Sequence, residues 1–314
     1  MGNDLNRRAV VGAGVALAVP AMAVTTAAAK DAGVHFTVPD GACDCHHHIY
    51  DPRFAYQPNA VLKPPYATVQ DYKALQKKLG TSRNVMVQPS TYGIDNSCVL
   101  DVLKQMPNAR AVCVVNSKVT DAELKTLNDA GVRGVRVQFG LGNPVGADEV
   151  LPLAKRIAAL GWHLQTNMPG EQLVQMESLL LSLPCPVIID HLGRAIDDQC
   201  PQYVTVRKLL DSGHGWVKLS GAYLYGGGVP PDYAGASAAA RGYLKTAPER
   251  CVWGSDWPHP DATKTLNPVA MPDDVVLLNL LAQWAPDAKL RHRILVENPE
   301  KFYGFDPAKR PKAN

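Results

Sequence analysis

The sequence has no block of lysine and arginine. Its formal net charge of +3 is spread over 314 residues, and "QKKLG" is about its densest basic cluster. Nucleic-acid binding calls for basic residues gathered on one face, so no such partner is expected. There is no C-x-x-C pair, and the seven cysteines (Cys43, Cys45, Cys98, Cys113, Cys185, Cys200, Cys251) are an odd number in a long chain, which argues against a disulfide framework. Cys113 in "AVCVVN" and Cys251 in "CVWGSD" lie in apolar runs where a thiol acts as a small core residue. No short repeat recurs, which excludes a solenoid. An unbroken apolar run of about 20 residues, the length a spanning helix needs, is also missing. The best candidate, from Ala9 to Val24, is interrupted by Gly12, Gly14 and Pro20, so no stable membrane span is expected.

What the N-terminus does contain is a paired Arg7 and Arg8, that apolar stretch, and Ala-x-Ala sites ending at Ala23 or Ala29. This pattern reads as a twin-arginine export signal over residues 1–29, with a periplasmic mature protein from residue 30 to 314. Cleavage after Ala29 removes Asp4, Arg7 and Arg8, which takes the charge from +3 to +2.

Beyond residue 30, short strand-like runs alternate with amphipathic segments. The strands are "ACDCHHHI", "NVMVQP", "AVCVVN", "GVRVQF", "HLQTN", "VIIDH", "WVKLS" and "CVWGS". Segments such as "TVQDYKALQKKLG" and "DAELKTLNDAG" lie between them and end in glycine, as helices do. Eight such units predict a single-domain α/β fold, a (β/α)8 TIM barrel. In that fold chemistry gathers at the C-terminal strand ends. Several polar residues obey the rule: His46 and His48, Ser90, Arg136 and Gln138, Asn167, Asp190 and His191, Ser220 and Tyr223, and Asp256. His163, at the start of its strand, belongs at the barrel bottom as a structural residue.

The stretch "GACDCHHHIYDP" places three histidines at the end of the first strand. Strict alternation puts Asp44, His46 and His48 on one face and Cys45 and His47 on the other. Two imidazoles on one face suit either a chelate or a hydrogen-bonding clamp.

The D-x-H-x-H strand (Asp44, His46, His48), "IIDHLGR" (Asp190–Arg194), "WGSDWPHP" (Trp253–Pro260) and "ENPEKFYGF" together resemble the amidohydrolase superfamily. The resemblance runs from about Gly41 to Phe305 and is nearest the branch that holds 2-pyrone-4,6-dicarboxylate hydrolase and related sugar and muconolactone lactonases. It implies that His46, His48, His191 and Asp256 are catalytic, with Asp44 supporting the histidines and His259 unassigned. It also implies a small lactone as substrate.

A metal is the main fork. His46, His48, His191 and Asp256 could hold one zinc ion that activates water. Metal-dependent relatives, however, commonly carry a histidine at the end of strand five and some a lysine or glutamate at strand four, where this chain has Asn167 and Arg136. The resemblance to the metal-independent pyrone hydrolase favours no cofactor. Asp256 is then the general base that takes a proton from water, and the three histidines stabilise the charge that develops on the carbonyl oxygen. Ser90, Arg136, Asn167 and Tyr223 are the expected substrate-binding residues. The relative's additional arginines have no counterpart in "FGLGNPVG" or "GAYLYGGG", which points to a lactone with one acidic group or a sugar lactone. The competing activities are a zinc-dependent amidohydrolase or decarboxylase and a lactone isomerase. Related isomerases carry glutamine in place of the first histidine of the pair, and His46 is retained here.

Overall fold

The structure, a computed structural model, describes residues 33–138, 146–224, 229–262 and 271–314. Residues 1–29, where an export signal is expected, most of "FGLGNPVG" and all of "YGGG" lie outside the described residues. Eight parallel strands form one sheet in sequential order: β1 (Cys43–His47), β2 (Arg83–Val87), β3 (Ala109–Cys113), β4 (Val132–Gln138), β5 (His163–Asn167), β6 (Val187–Ile189), β7 (Gly215–Leu219) and β8 (Cys251–Trp253). Helices intervene, and the sheet curls into a nearly closed (β/α)8 barrel, as the alternating pattern predicted. No helix among the described residues is long and apolar enough to cross a membrane. All seven cysteines are buried and free.

The helices form where the local chemistry directs. Thr68 caps Val69–Leu79 through a reciprocal bond with Asp71, and Gly80 ends that helix in the left-handed conformation. Thr120 and Glu123 repeat the box at Asp121–Ala130. The segment "EQLVQMESLLLSL" lies in two short helices that meet at Met176, Gly170–Gln175 and Glu177–Ser182.

Alternation along the strands separates two cores. Met86, Ala111, Val135, Val137, Val187, Ile189, Val217 and Leu219 pack outward with the helices. Val85, Val87, Val112, Ile188, Trp216 and Val252 fill the barrel interior, with Tyr303 and Phe305 joining them from the chain's C-terminal end. His163 is buried at this lower end against Phe302 and Tyr303, in keeping with a structural role. Higher up, the interior positions are polar: Lys218 and Arg136 each lie between two outward-packing residues of their strand, and Gln165 follows the outward-packing Leu164.

Strict alternation fails on β1. Cys43 and Asp44 pair with Arg83 and Asn84, but His47 pairs with Met86, so three steps on β1 match two on β2. This bulge turns two consecutive side chains the same way. Cys45 therefore joins the interior cluster instead of facing away from it. Asp44 leaves the face expected for it and accepts a hydrogen bond from Tyr72 of the flanking helix at 3.0 Å. His47 does face outward, stacked 3.6 Å from the Tyr72 ring and bonded to Asn84.

The segment after β8 lies along β1. Asp256 N donates to His46 O and His48 N donates to Trp257 O, both at 2.8 Å. Gly254 permits this approach, since a Cβ there would sit 2.7 Å from the Cβ of His46 and 2.9 Å from its backbone nitrogen. The same contact that brings β1 and β8 together sets Asp256 over the β1 histidines.

Candidate active site

Asp44 braces this junction. Its Oδ1 accepts from Ser255 N at 2.9 Å and His46 N at 3.1 Å, and its Oδ2 from Ser255 Oγ at 2.6 Å. The expected supporting role thus acts through the backbone of the strand and of the loop that carries Asp256.

Four predicted residues come together above the junction. Asp256 Oδ1 is 3.5 Å from His46 Nε2, 3.7 Å from His48 Nε2 and 3.7 Å from His191 Nε2. All four side chains are buried. Burial pushes the Asp256 carboxyl up to about 7, against the hydrogen bond from Tyr223. Burial also pushes His191 down to about 3 and His46 and His48 well below the ordinary imidazole value. Near neutral pH the three rings are uncharged, so each offers one N–H and one lone pair.

Neighbours decide where those hydrogens lie. His48 Nδ1 donates to the Val87 carbonyl at 2.8 Å, which leaves the Nε2 lone pair facing the cleft. His46 Nε2 lies 3.3 Å from that atom and can donate to it. On its other side, His46 Nδ1 is 3.2 Å from Lys218 Nζ. His191 Nδ1 is 2.9 Å from Ser220 Oγ. A tight turn aims the His191 ring: His191, Leu192, Gly193 and Arg194 all have positive φ, between 50° and 64°. Three of them are not glycine, a conformation that costs energy and persists where surrounding contacts impose it. The Tyr243 hydroxyl contributes one such contact by donating to Leu192 O at 3.0 Å.

The remaining predicted residues divide. Ser90, Arg136 and Asn167 line the cleft beside His48, His191 and Asp256. Arg136 reaches Asp190 Oδ2 through NH2 at 3.2 Å, and its buried Nε has no hydrogen-bond partner among the described residues. Tyr223, expected to bind substrate, meets Asp256 directly. Its hydroxyl donates to Asp256 Oδ2 at 2.6 Å and lies 3.2 Å from His259 Nδ1, so it orients the carboxylate. His259 in turn meets Asp274 Oδ1 at 3.1 Å through Nε2.

Three residues in this network were not picked out by sequence reasoning. Lys218 is fully buried under His46, Gln165 bonds both Lys218 and Asp190, and Arg194 donates to Asn167 Oδ1 at 2.9 Å. A lysine between Val217 and Leu219 in the middle of a barrel strand was the available signal. Burial opposes the charge on Asp190, but the Lys218 and Arg136 cations beside it hold its carboxyl well below the ordinary range.

The ligand atoms of His46, His191 and Asp256 lie within 4.8 Å of one another, close enough to gather around one metal ion. The fit turns on His46. A ligating imidazole presents a bare nitrogen and gives its other N–H to an acceptor. Here Lys218 Nζ, a donor, lies 3.2 Å from that other nitrogen and competes for it with the acceptor Asp190 Oδ1 at 3.3 Å.

Comparison with known proteins agrees with this architecture. The chain is 36% identical over 288 residues to 4-sulfomuconolactone hydrolase from Rhizobium radiobacter, covering 88% of this chain and 94% of that one. It is 32% identical over 277 residues to D-galactarolactone isomerase from Agrobacterium fabrum, covering 86% and 94%. A probable 2-pyrone-4,6-dicarboxylic acid hydrolase from Acinetobacter baumannii, solved with citric acid bound, superposes with a TM-score of 0.74 at 28% identity, over 84% of this chain and all of that one. The amidohydrolase family model matches residues 43–305, and the chain belongs to the amidohydrolase family.

Proposed function

We propose that the protein is a metal-independent lactonase that opens a small carboxylated lactone with water activated by Asp256. The observation that carries this reading is the Asp256 carboxyl, shifted to about 7 and set opposite three neutral imidazoles. A carboxylate with that affinity for protons is matched to removing one from water near neutral pH. The resulting hydroxide attacks the lactone carbonyl carbon, and negative charge develops on the carbonyl oxygen. His46 Nε2–H and His191 Nε2–H meet that charge, with the Ser220 hydroxyl donating to His191 Nδ1 to keep its hydrogen on Nε2. Asp256 then returns its proton to the departing ring oxygen.

One role changes from the sequence-based expectation. With its hydrogen committed to Val87 O, neutral His48 has no N–H to offer the oxyanion. It serves instead as a wall of the cleft and as the acceptor that holds the His46 hydrogen until the oxyanion forms and takes it over. The unmatched Nε of Arg136 supports a substrate with an acidic group, and Ser90 and Asn167 complete that side. The named activities of the relatives, two hydrolyses and one isomerisation of lactone-type substrates, support the reaction class. The test is a panel of neutral, mono-acidic and di-acidic lactones assayed by acid release, with and without prolonged chelation. We expect the mono-acidic members to be opened fastest, with rates unchanged by the chelator. Rates that vanish with the chelator and return with zinc would favour a zinc-dependent hydrolase, and consumption of lactone without acid release an isomerase.

The N-terminal pattern supports export to the periplasm by the twin-arginine route. Replacing Arg7 and Arg8 together with lysine should leave folded protein in the cytoplasm, because that route reads the arginine pair. Fractionation that finds the variant still in the periplasm would discard this part of the reading.

A further inference from the structure

We propose that Lys218 is a positioning residue that holds His46 in its Nε2–H form and thereby keeps divalent metals out of the His46–His191–Asp256 cluster. The inference rests on the metal-independent reading above and assigns a cause to it. Lys218 Nζ is 2.7 Å from Gln165 Oε1, 3.2 Å from His46 Nδ1 and 3.5 Å from Asp190 Oδ1. Burial pulls the Lys218 amine below its ordinary value, and the Asp190 carboxylate raises it. Held as an ammonium by its pairing with Asp190, it has three hydrogens and no lone pair, so each of these neighbours has to be an acceptor. Gln165 and Asp190 satisfy that condition. Gln165 does so in one amide orientation, the one in which its Nε2 donates to Asp190 Oδ2 at 3.0 Å. His46 satisfies it only if Nδ1 is bare, and the ring's single hydrogen is then on Nε2.

That hydrogen points into the cleft, where His48 Nε2 is a lone pair 3.3 Å away because Val87 O has taken the His48 hydrogen. Every hydrogen from Lys218 to Val87 therefore has one donor and one acceptor. A metal at His46 Nε2 would reverse this chain, since the hydrogen would have to move to Nδ1 and face an ammonium. Asp190 Oδ1 lies 3.3 Å from His46 Nδ1 and 3.5 Å from Lys218 Nζ, so the His46 hydrogen and the Lys218 ammonium compete for the same carboxylate oxygen. The carboxylate that would support a metal-bound His46 is thus present, and Lys218 preempts it. Asp190, paired with both Lys218 and Arg136, balances the buried ammonium charge.

Removing the lysine should uncover a metal site. In Lys218→Met no donor faces Nδ1, the His46 hydrogen moves toward Asp190, and Nε2 becomes a lone pair beside His191 and Asp256. Lys218→Gln keeps an amide N–H able to donate to Nδ1 and should behave as the wild type does. The probe is zinc alone, in equilibrium dialysis of each purified full-length protein followed by metal analysis. The imidazole nitrogen–proton correlation spectrum of the metal-free proteins reports the His46 hydrogen directly. We expect zinc affinity to rise roughly ten- to a hundredfold in Lys218→Met, the scale on which the outer partners of metal ligands act, and to stay at the wild-type level in Lys218→Gln. We also expect wild-type His46 to carry its hydrogen on Nε2. If neither variant folds, the wild-type spectrum still decides, because a hydrogen on Nδ1 overturns the proposal. A folded Lys218→Met with wild-type zinc affinity also overturns it, while chelator-resistant lactone hydrolysis by the wild type would leave the metal-independent reading standing. Wild-type protein purified with a full equivalent of zinc would remove both.

Discussion

Asp256→Asn should lower kcat by at least about a hundredfold, the low end of what a general base contributes, while changing KM little. The substitution keeps the shape of the side chain and its ability to accept the Tyr223 hydrogen bond, and removes only the capacity to take a proton. The wild-type pH profile supplies the second half of the prediction. Burial lifts the Asp256 carboxyl to about 7, so below that pH it is protonated and cannot act as a base. Accordingly kcat/KM should fall on the acid side along one ionisation near 7 and level off above it. His46, His48 and His191 are all shifted downward and do not compete for this limb. In the residual activity of Asp256→Asn the limb should be gone. A variant with wild-type kcat, or one that keeps the same limb, would show that another group is the base.

The barrel was legible because its signals are local. Eight buried parallel strands read as short Val/Ile-rich runs, and glycine or capping-box residues marked the helix ends between them. The site was legible for a related reason: a barrel collects the ends of its strands, so polar residues at those ends converge without any knowledge of the loops. His46, His48, His191, Asp256, Ser90, Arg136 and Asn167 all follow that rule.

Residues whose positions depend on contacts between strands were harder to read. The bulge that puts Cys45 and His46 on one side of β1 is a matter of register with β2, and nothing in "CDCHHH" announces it. Tyr223 meets Asp256 because the chain beyond β7 brings its hydroxyl to Oδ2, a distance no spacing encodes. Lys218 was passed over as one charged residue in an apolar strand, although a buried charge needs partners and is costly without them. The same cost makes it informative. Gln165, Asp190 and His46 stand around it as a set of partners, and the proposal that this chain works as a hydrogen-bonding histidine clamp and not as a metal site rests on that set.

If the clamp acts on developing charge, His191→Ala should lower kcat by roughly a hundred- to a thousandfold, the cost of losing one oxyanion donor. The ring is well held for that role. Ser220 Oγ is 2.9 Å from Nδ1, and Nε2 is 3.7 Å from Asp256 Oδ1, so the carbonyl oxygen of a lactone under attack has both groups within reach. A donor that matters most when the oxygen is charged contributes little to ground-state binding, so KM should change far less than kcat. The acid limb near 7 should persist, since Asp256 remains, and this separates loss of a donor from loss of the base. Ser220→Ala provides the graded case. It leaves the imidazole in place but frees its hydrogen to sit on either nitrogen, so it should lower kcat by less than His191→Ala does. The measurement is a set of pH profiles of kcat and kcat/KM for both variants on one lactone. A rise in KM at unchanged kcat in His191→Ala would mean that the ring binds the lactone and does not stabilise the charge, leaving His46 as the donor.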